Sequence, residues 1–436
     1  MLLEEVKGRQ NAILVGIGLP GQDKNEKRDN LSELSQLAST AGLEVKYELI
    51  QERDRIHAAY FIGPGKVQEL ATLLEELDAG IVVFDDDLSP AQIRNLEESL
   101  QVKVIDRSTL ILDIFAKHAR TRESKTQVEL AQLQYFLPRL TRQWTHLSRQ
   151  VGGIGTRGPG ETQLETDRRL VRKRIEKLRK DLRQFDKQQN VRRQHRQDIF
   201  QASLIGYTNV GKSTIMNLLS DAGVLVENQL FATLDSIVRR IQLNDNHEVL
   251  LGDTVGFIRK LPHHLVASFK STLDEVREAN LLLHVVDVHH PFYQKQMGTV
   301  MQILEELEAH HKPILIIFNK IDLLQDQSIL QSLRYKYPDA VFLSAHRHIG
   351  IESLKKKIIE FVERNFIKIR IKLDSQNQKF IHYLHSISHV LDMNYQDHLV
   401  EITLKCDTES AKKIRSAVEN REKNYEVELI EEVPVP

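Results

Sequence analysis

The sequence predicts an α/β protein in several parts, and two observations carry that prediction. Short apolar runs alternate with helical patterns over residues 1–110 and again over 199–365, which is typical of parallel sheets covered by helices. Between them, residues 111–198 show long helical stretches, which predict a helical hairpin. Residues 366–436 alternate again and predict a further small α/β domain.

Composition and charge narrow the class of protein. The 436 residues carry a formal charge of −1, but residues 161–196 hold 13 Lys/Arg against 6 Asp/Glu, a net of +7. Cys406 is the single cysteine, which excludes an intramolecular disulfide and a cysteine zinc site and fits a reducing cytoplasm. The longest apolar runs are too short for a membrane span, and association with a membrane surface stays open.

The local patterns place individual elements. Strands are predicted at 12–17, 45–50, 81–84, 102–105, 202–205, 249–252, 281–286, 314–318, 340–343, 366–373, 399–405 and 425–430, and helices at 30–41, 66–77, 90–100 and 214–220. Ser89 followed by Pro90 predicts a helix start, with serine as the cap and proline at the first helical position. The hairpin arms are predicted over 108–150 and 161–196, with the glycine-rich loop 151–160 between them.

A phosphate-binding motif follows the strand 202–205. The motif GxxxxGKS and the first residue of the next helix comprise Gly206, Tyr207, Thr208, Asn209, Val210, Gly211, Lys212, Ser213 and Thr214. Between a strand and a helix, the backbone amides of this motif cradle phosphates. We expect Lys212 to reach the β- and γ-phosphates and act in catalysis, and Ser213 to ligate magnesium. A chance match in a glycine turn is the alternative, and the later boxes argue against it.

A second group of residues is predicted at the γ-phosphate. Asp253 follows a strand and would hold magnesium through water, while the Gly256 amide would contact the γ-phosphate in catalysis. Phe231 and Thr233 lie between the GxxxxGKS motif, called the first box, and Asp253–Gly256, called the third box, in a segment that is predicted to be the first switch. We expect Thr233 to ligate magnesium in the GTP state, although a threonine of simple β propensity is the alternative.

The last two boxes predict the base. Asp322 can accept two hydrogen bonds from guanine, which adenine cannot donate. Asn319 would brace the loop, and Lys320 would lay its stem on the ring. Ser344 and Ala345 follow a strand and place the Ala345 amide near guanine O6. Four boxes in order, each after a strand, predict a Ras-like P-loop GTPase domain that binds GTP and GDP.

Two positions bear on catalysis. A Ras-type enzyme orients its attacking water with a glutamine just after the third box. This chain has Phe257 at that position, and a phenylalanine side chain cannot form a hydrogen bond to water. Intrinsic hydrolysis should therefore be slow and depend on a partner. Asn209 resembles an asparagine of GTPases in which potassium replaces a cationic finger. Potassium activation is a hypothesis that equal rates in sodium and potassium would contradict.

The segment VGGIGTRGPGETQLE at 151–165 closely resembles the signature of the HflX family of ribosome-associated GTPases. FIGPGK at 61–66 and FATLD at 231–235 agree with this resemblance, whereas Ser-Ile-Val at 236–238 departs from the usual Pro-Thr-Thr. The resemblance implies binding to the large ribosomal subunit and its rRNA, with splitting of stalled or idle ribosomes under stress. GTPases of ribosome assembly or RNA modification, and a GTP-regulated binding module, are the alternatives.

The basic arm is the predicted RNA contact. The candidates are Gly153, Arg157, Gly158, Arg168, Arg169, Arg172 and Lys173. A basic helix suits a phosphate backbone, and a glycine-rich tip fits where side chains would clash. A solvated helical arm of mixed charge with a flexible tip is the alternative. Nothing in the sequence demands an oligomer, and we expect a monomer.

Overall fold

The computed structural model divides into two compact units. It describes residues 10–18, 20–21, 23–139, 163–194, 199–220, 231, 237–245, 247–260, 275–364, 366–375, 377–396, 398–419 and 428–434. The first unit contains Met1–Ile241 and Val249–Ile349, and the second contains Gln242–Glu248 and Gly350–Pro436. Within the described ranges, no helix combines the length and the apolar character needed to cross a bilayer.

The chain opens with a parallel four-stranded sheet in the order β2-β1-β3-β4. Its elements are β1 (Gln10–Gly18), α1 (Lys24–Thr40), β2 (Leu43–Glu52), α2 (Pro64–Glu76), β3 (Ile81–Phe84), α3 (Pro90–Leu100) and β4 (Lys103–Asp106). Ser89 caps α3 by accepting from the Gln92 amide, with Pro90 at the first helical position, as predicted. A core around Ile62, Leu70 and Phe84 is fully buried, so the predicted small α/β fold is confirmed.

The sequence predicts one long helix for the first hairpin arm, residues 108–150, and this prediction is wrong. The structure shows α4 (Arg107–His118), α5 (Arg122–Phe136) and, after residues that it does not describe, α6 (Gln163–Gln194). Thr121 is extended and its side chain accepts from the Ser124 amide at 3.1 Å, so it starts a new helix. Because α4 is buried along nearly its whole length, it packs with the first sheet, whereas α5 pairs with α6 through Leu130, Ile175 and Leu178.

A second sheet carries the four sequence boxes, with strands in the order β10-β9-β8-β5-β7-β6. Its elements are β5 (Gln201–Gly206), α7 (Lys212–Ser220), β6 (Ile237–Asn244), β7 (His247–Asp253), β8 (Leu281–Asp287), α8 (Tyr293–Glu306), β9 (Ile314–Asn319), α9 (Gln327–Lys336) and β10 (Val341–Phe342). The pairs β5–β7, β5–β8, β8–β9 and β9–β10 are parallel. Their carboxyl ends share one edge, which brings the boxes together.

The second unit is built on an antiparallel sheet in the order β12-β13-β11-β14. Its elements are α10 (Ile351–Arg364), β11 (Phe366–Asp374), α11 (Gln378–Ile387), β12 (His389–Gln396), β13 (Leu399–Asp407), α12 (Thr408–Glu419) and β14 (Glu428–Pro434). Ile371, Phe380, Ile402 and Ile414 are fully buried in its core. Helix α10 groups with this unit. The predicted domain boundary at residue 365 stays a prediction.

Candidate nucleotide-binding site

Two glycines allow the loop between β5 and α7 to take its shape. Gly206 has φ +148°, and a Cβ there would lie 2.3 Å from the Val285 carbonyl oxygen. Gly211 has φ +97°, and its Cβ would lie 2.4 Å from the Asn319 amide nitrogen. Neither position admits a side chain. Gly206 ends β5 and Gly211 directly precedes α7, so the loop leads into a helix start, where free amides favour an anion. The backbone therefore has the form of a phosphate cradle.

Lys212 is held inside this loop. Its Nζ donates to the carbonyl oxygens of Gly206 at 3.2 Å and Tyr207 at 2.7 Å. Burial lowers the pKa of Lys212 to about 8, and the nearby Asp253 carboxylate opposes that shift. The ammonium group is thus fixed and largely desolvated, so a phosphate oxygen in the loop would gain a strong charge-assisted hydrogen bond.

The third box lies directly against the loop. The Ser213 hydroxyl donates to the Asp253 carboxylate at 2.7 Å. Two oxygen groups of the kind that magnesium prefers as ligands therefore lie side by side. A Cβ on Gly256 would lie 2.8 Å from the Thr208 Cα and 2.9 Å from the Lys212 Nζ. Only glycine permits this approach, and it brings the Gly256 backbone beside the phosphate-binding lysine.

Phe257 occupies the position where a Ras-type enzyme has glutamine, and it points into the core. Its ring packs with Ile205, Val276 and Val300 and is only 2% exposed. Its backbone is tied to the loop, because its amide donates to Gly206 at 3.1 Å and its carbonyl oxygen accepts from Thr208 at 2.8 Å. The side chain therefore serves packing and offers no group that could orient a water molecule.

The fourth box, Asn319–Asp322, contacts both the phosphate loop and the loop that carries Ala345. The Asn319 amide group donates to the Val210 carbonyl at 2.7 Å, and its oxygen accepts from the Ala345 amide at 3.0 Å. Lys320 donates to the Asn209 carbonyl at 2.9 Å. The sequence predicts the Ala345 amide near guanine O6, and in this structure that amide donates to Asn319. Ser344 pairs with Ile349 across a tight turn beside it.

Asp322 lies beside the same turn. Its carboxylate is 15% exposed and stands 4.0 Å from the Arg347 guanidinium. The Arg347 amide in turn donates to the Ser344 hydroxyl at 3.1 Å. Sequence reasoning missed Arg347, and only its position three residues after Ser344 could have suggested it. A base entering here would meet an acceptor positioned by two loops.

The structure describes only part of the predicted first switch. Phe231, which the sequence predicts to bind nucleotide, is 3% exposed, and its ring packs edge-on against Phe115 of α4, with centroids 4.7 Å apart. An aromatic pair of this geometry is a packing contact. Thr233 lies outside the described residues, as do Gly153, Arg157 and Gly158.

His284 is a buried titratable group that the sequence analysis did not single out. It lies on β8 and is 2% exposed, and burial, with the charge of Lys212, lowers its pKa to about 4. The unfolded chain binds a proton near pH 6.5 and the folded chain resists it, so stability falls as the pH drops from 6.5 toward 4. We expect a loss of about 2 kcal/mol between pH 7 and pH 5 from this residue. Urea unfolding of the wild type and His284→Gln checks it, since the variant should lose less stability over that interval.

Three family models match successive parts of the chain. Residues 28–116 match the family model "GTP-binding GTPase N-terminal", 118–196 match "GTP-binding GTPase Middle Region", and 201–320 match "50S ribosome-binding GTPase". The GTPase HflX of Magnetococcus marinus is 44% identical over 396 residues, which cover 90% of this chain and 91% of that protein. The GTPase HflX of Escherichia coli is 47% identical over 370 residues, which cover 84% and 86%.

The chain belongs to the HflX family of GTPases.

Membership of the HflX family confirms the predicted enzyme class. The protein hydrolyses GTP, and the predicted α/β architecture with a P-loop GTPase domain is confirmed. Among solved structures, the complex of SsGBP with GDP aligns with a TM-score of 0.46 at 24% identity, covering 80% of this chain and 98% of that one. The roles of individual residues at the site remain proposals.

Proposed function

We propose that this HflX GTPase binds the large ribosomal subunit in its GTP form and separates stalled or idle ribosomes into subunits. The observation that carries the proposal is the outward basic face of α6. Support also comes from the family model over residues 201–320, whose description is a 50S ribosome-binding GTPase. The cytoplasmic location and the monomeric state predicted from the sequence are parts of the same proposal.

The basic face follows from how α6 packs. Val171, Ile175, Leu178 and Leu182 lie on the side that contacts α5, a spacing that forms one apolar stripe on a helix. The intervening Arg172 and Lys173 are exposed. Arginine and lysine on a rigid helix can neutralise several backbone phosphates at once. The face thus suits rRNA, and its charge is presented by the fold rather than by a loose tail.

The nucleotide site would act on GTP as follows. Lys212 would neutralise charge on the β- and γ-phosphates, Gly256 would donate its amide to the γ-phosphate, and Asp322 would select guanine. Ser213 and Asp253, with Thr233 as the sequence predicts, would hold magnesium. When bound, that ion offsets the negative charge of the phosphates. Because Phe257 is buried in the core, the group that orients water would come from outside this position, which favours stimulation by the ribosome.

Sucrose-gradient sedimentation tests the proposed function. Purified 70S ribosomes are mixed with the protein and GTP, GDP or a non-hydrolysable GTP analogue. We expect a shift from 70S to separate subunits with GTP, and protein retained on the 50S peak with the analogue. Association with one immature subunit only would favour an assembly role. Binding to 50S without any shift of 70S would favour a GTP-regulated binding module, and no association would refute the ribosome proposal.

Charge reversal on α6 is expected to abolish ribosome binding. The variant Arg168→Glu, Arg169→Glu, Arg172→Glu, Lys173→Glu replaces four positive charges on the proposed RNA face by four negative ones, a change of eight charge units. Loss of about four phosphate contacts should weaken 50S binding at least ~100-fold at 100 mM salt. Nucleotide affinity should not change. Pelleting with 50S subunits measures the binding.

The matched control reverses four basic residues farther along the same helix. They are Arg179, Lys180, Arg183 and Lys187. This control changes the net charge by the same amount, so an equal loss of 50S binding would show that bulk charge, and not the cluster at 168–173, drives association. Wild-type binding by the cluster variant would refute the RNA contact.

Potassium is the second proposed cofactor. Asn209 has φ +60° and an exposed side chain at the phosphate loop, so it could help to hold a monovalent cation near the phosphates. We expect faster ribosome-free hydrolysis in potassium than in sodium at equal ionic strength, and a smaller difference in Asn209→Ala. Phosphate release measures the rate, and equal rates in the two salts would contradict the hypothesis.

A further inference from the structure

We propose, on the premise that Gly256 contacts the γ-phosphate, that Tyr207 and Arg259 are positioning residues for GTP. Their side chains fasten the segment after the third box to the amino-terminal sheet domain. The fastening holds the Gly256 amide where a γ-phosphate would meet it. GDP has no γ-phosphate, so these contacts should raise the affinity for the triphosphate and leave that for GDP unchanged.

Tyr207 connects three parts of the molecule. Its backbone carbonyl accepts from Lys212 in the phosphate loop, while its side chain, 4% exposed, leaves the loop. The hydroxyl donates to the Glu33 carboxylate on α1 and accepts from the Arg259 amide at 2.7 Å. The backbone just after the third box is therefore held by a side chain of the phosphate loop that is itself anchored on α1.

The next two side chains reach the same domain. Arg259 donates to Asp29 of α1 at 2.9 Å, and both side chains are no more than 15% exposed. Lys260, which has φ +52°, donates to Asp85 at 2.6 Å and Asp86 at 2.5 Å, at the carboxyl end of β3. Two consecutive residues are thus fixed by carboxylates from two different elements, which defines both the position and the direction of the backbone.

A buried arginine organises the carboxylates. Arg107, at the start of α4, pairs with Glu33 and donates to Asp85 at 2.7 Å, and its side chain is only 3% exposed. Burial opposes its charge, but the two carboxylates outweigh burial and raise the pKa of Arg107. Glu33 is shared with Tyr207, and Asp85 is shared with Lys260. In a low-dielectric setting the members of such a network depend on one another, because breaking one contact leaves a buried charge without its partner.

These contacts bear on Gly256 because the backbone that directly follows it is fixed at two successive points. Phe257 is anchored in the core and its backbone is paired with Gly206 and Thr208. Two residues later, the contacts with α1 and β3 prevent the chain from swinging away. A donor that is already ordered gives its full interaction energy to a ligand, since no ordering cost is subtracted. By linkage, a bound γ-phosphate should equally strengthen the attachment of the amino-terminal domain.

Affinities of the full-length protein for GDP and for a non-hydrolysable GTP analogue test the inference. In Tyr207→Phe and in Arg259→Ala we expect the analogue affinity to fall about tenfold while GDP affinity stays within about twofold. The paired swap Arg259→Asp with Asp29→Arg should recover part of the analogue affinity. Equal losses for both nucleotides would indicate a merely structural role and overturn the inference, as would no loss for either.

Two further variants separate the possible failures. Lys295→Ala removes another ion pair with α1, to Glu26 at 2.8 Å, but lies on α8 and should leave the ratio of the two affinities unchanged. An equal effect there would overturn the inference. Gly256→Ala adds a Cβ that meets Thr208 and Lys212 and should lower the analogue affinity. If Gly256→Ala leaves the ratio unchanged, the proposed γ-phosphate contact itself fails. If only Gly256→Ala changes it, the positioning role fails.

Discussion

Asp322→Asn is expected to convert the protein from a guanine-nucleotide to a xanthine-nucleotide binder. In its proposed role the Asp322 carboxylate would accept two hydrogen bonds from guanine, and an amide in its place offers a donor where guanine also has one. The amide oxygen can still accept from guanine N1–H, but without a charge, and the bond from the exocyclic amine is replaced by two opposed donors, so GTP affinity should fall about 10²–10³-fold. Xanthine carries an oxygen in place of the exocyclic amine, so the amide donor should match it.

Fluorescent-nucleotide titration with GTP and XTP checks this expectation. Asp326→Asn is a matched control, because Asp326 is an exposed cap of α9 that accepts from Ser328 and has no proposed role at the base. It should leave both affinities unchanged. Retention of GTP affinity in Asp322→Asn, without any gain for XTP, would contradict the assignment of the base site.

Lys212→Ala is expected to lower GTP hydrolysis by about 10²–10³-fold, the scale seen when one fixed charge-stabilising donor is removed from a transition state. The ammonium group is buried and held by two loop carbonyls, so the substitution removes a charge whose position the loop fixes. Single-turnover phosphate release with saturating 50S subunits measures the rate. Lys312→Ala, which removes a lysine bonded to the Ala279 carbonyl, should retain wild-type rates. A Lys212→Ala rate within fivefold of wild type would be inconsistent with its proposed role.

The sequence predicts the local elements well where strong signals coincide. The strand at 81–84 and the helix at 90–100 match β3 and α3 to the residue, because a continuous apolar run and a Ser-Pro start are unambiguous. The break between α4 and α5 was missed because Ala119–Thr121 contains neither glycine nor proline. The strands β6 and β12 were missed because polar residues interrupt their apolar pattern.

The candidate site likewise has parts that the sequence predicts and parts that it does not. Four boxes at the ends of parallel strands could be predicted because each is a local motif whose strand context is visible in the chain. The contacts that join Glu33, Arg107 and Tyr207 could not, because the first and last of these residues are 174 positions apart. Nor could the packing of Phe231 on Phe115, since a switch motif identifies a segment and not the surface on which it rests.

The most direct test of the proposed function is the affinity for purified 50S subunits in the two nucleotide states. The protein is loaded with GDP or with a non-hydrolysable GTP analogue and titrated against 50S subunits at fixed salt and magnesium. A γ-phosphate-dependent ribosome factor should bind at least about tenfold more tightly with the analogue, a coupling of about 1.4 kcal/mol. Equal affinity in the two states, or no measurable binding in either, would contradict it.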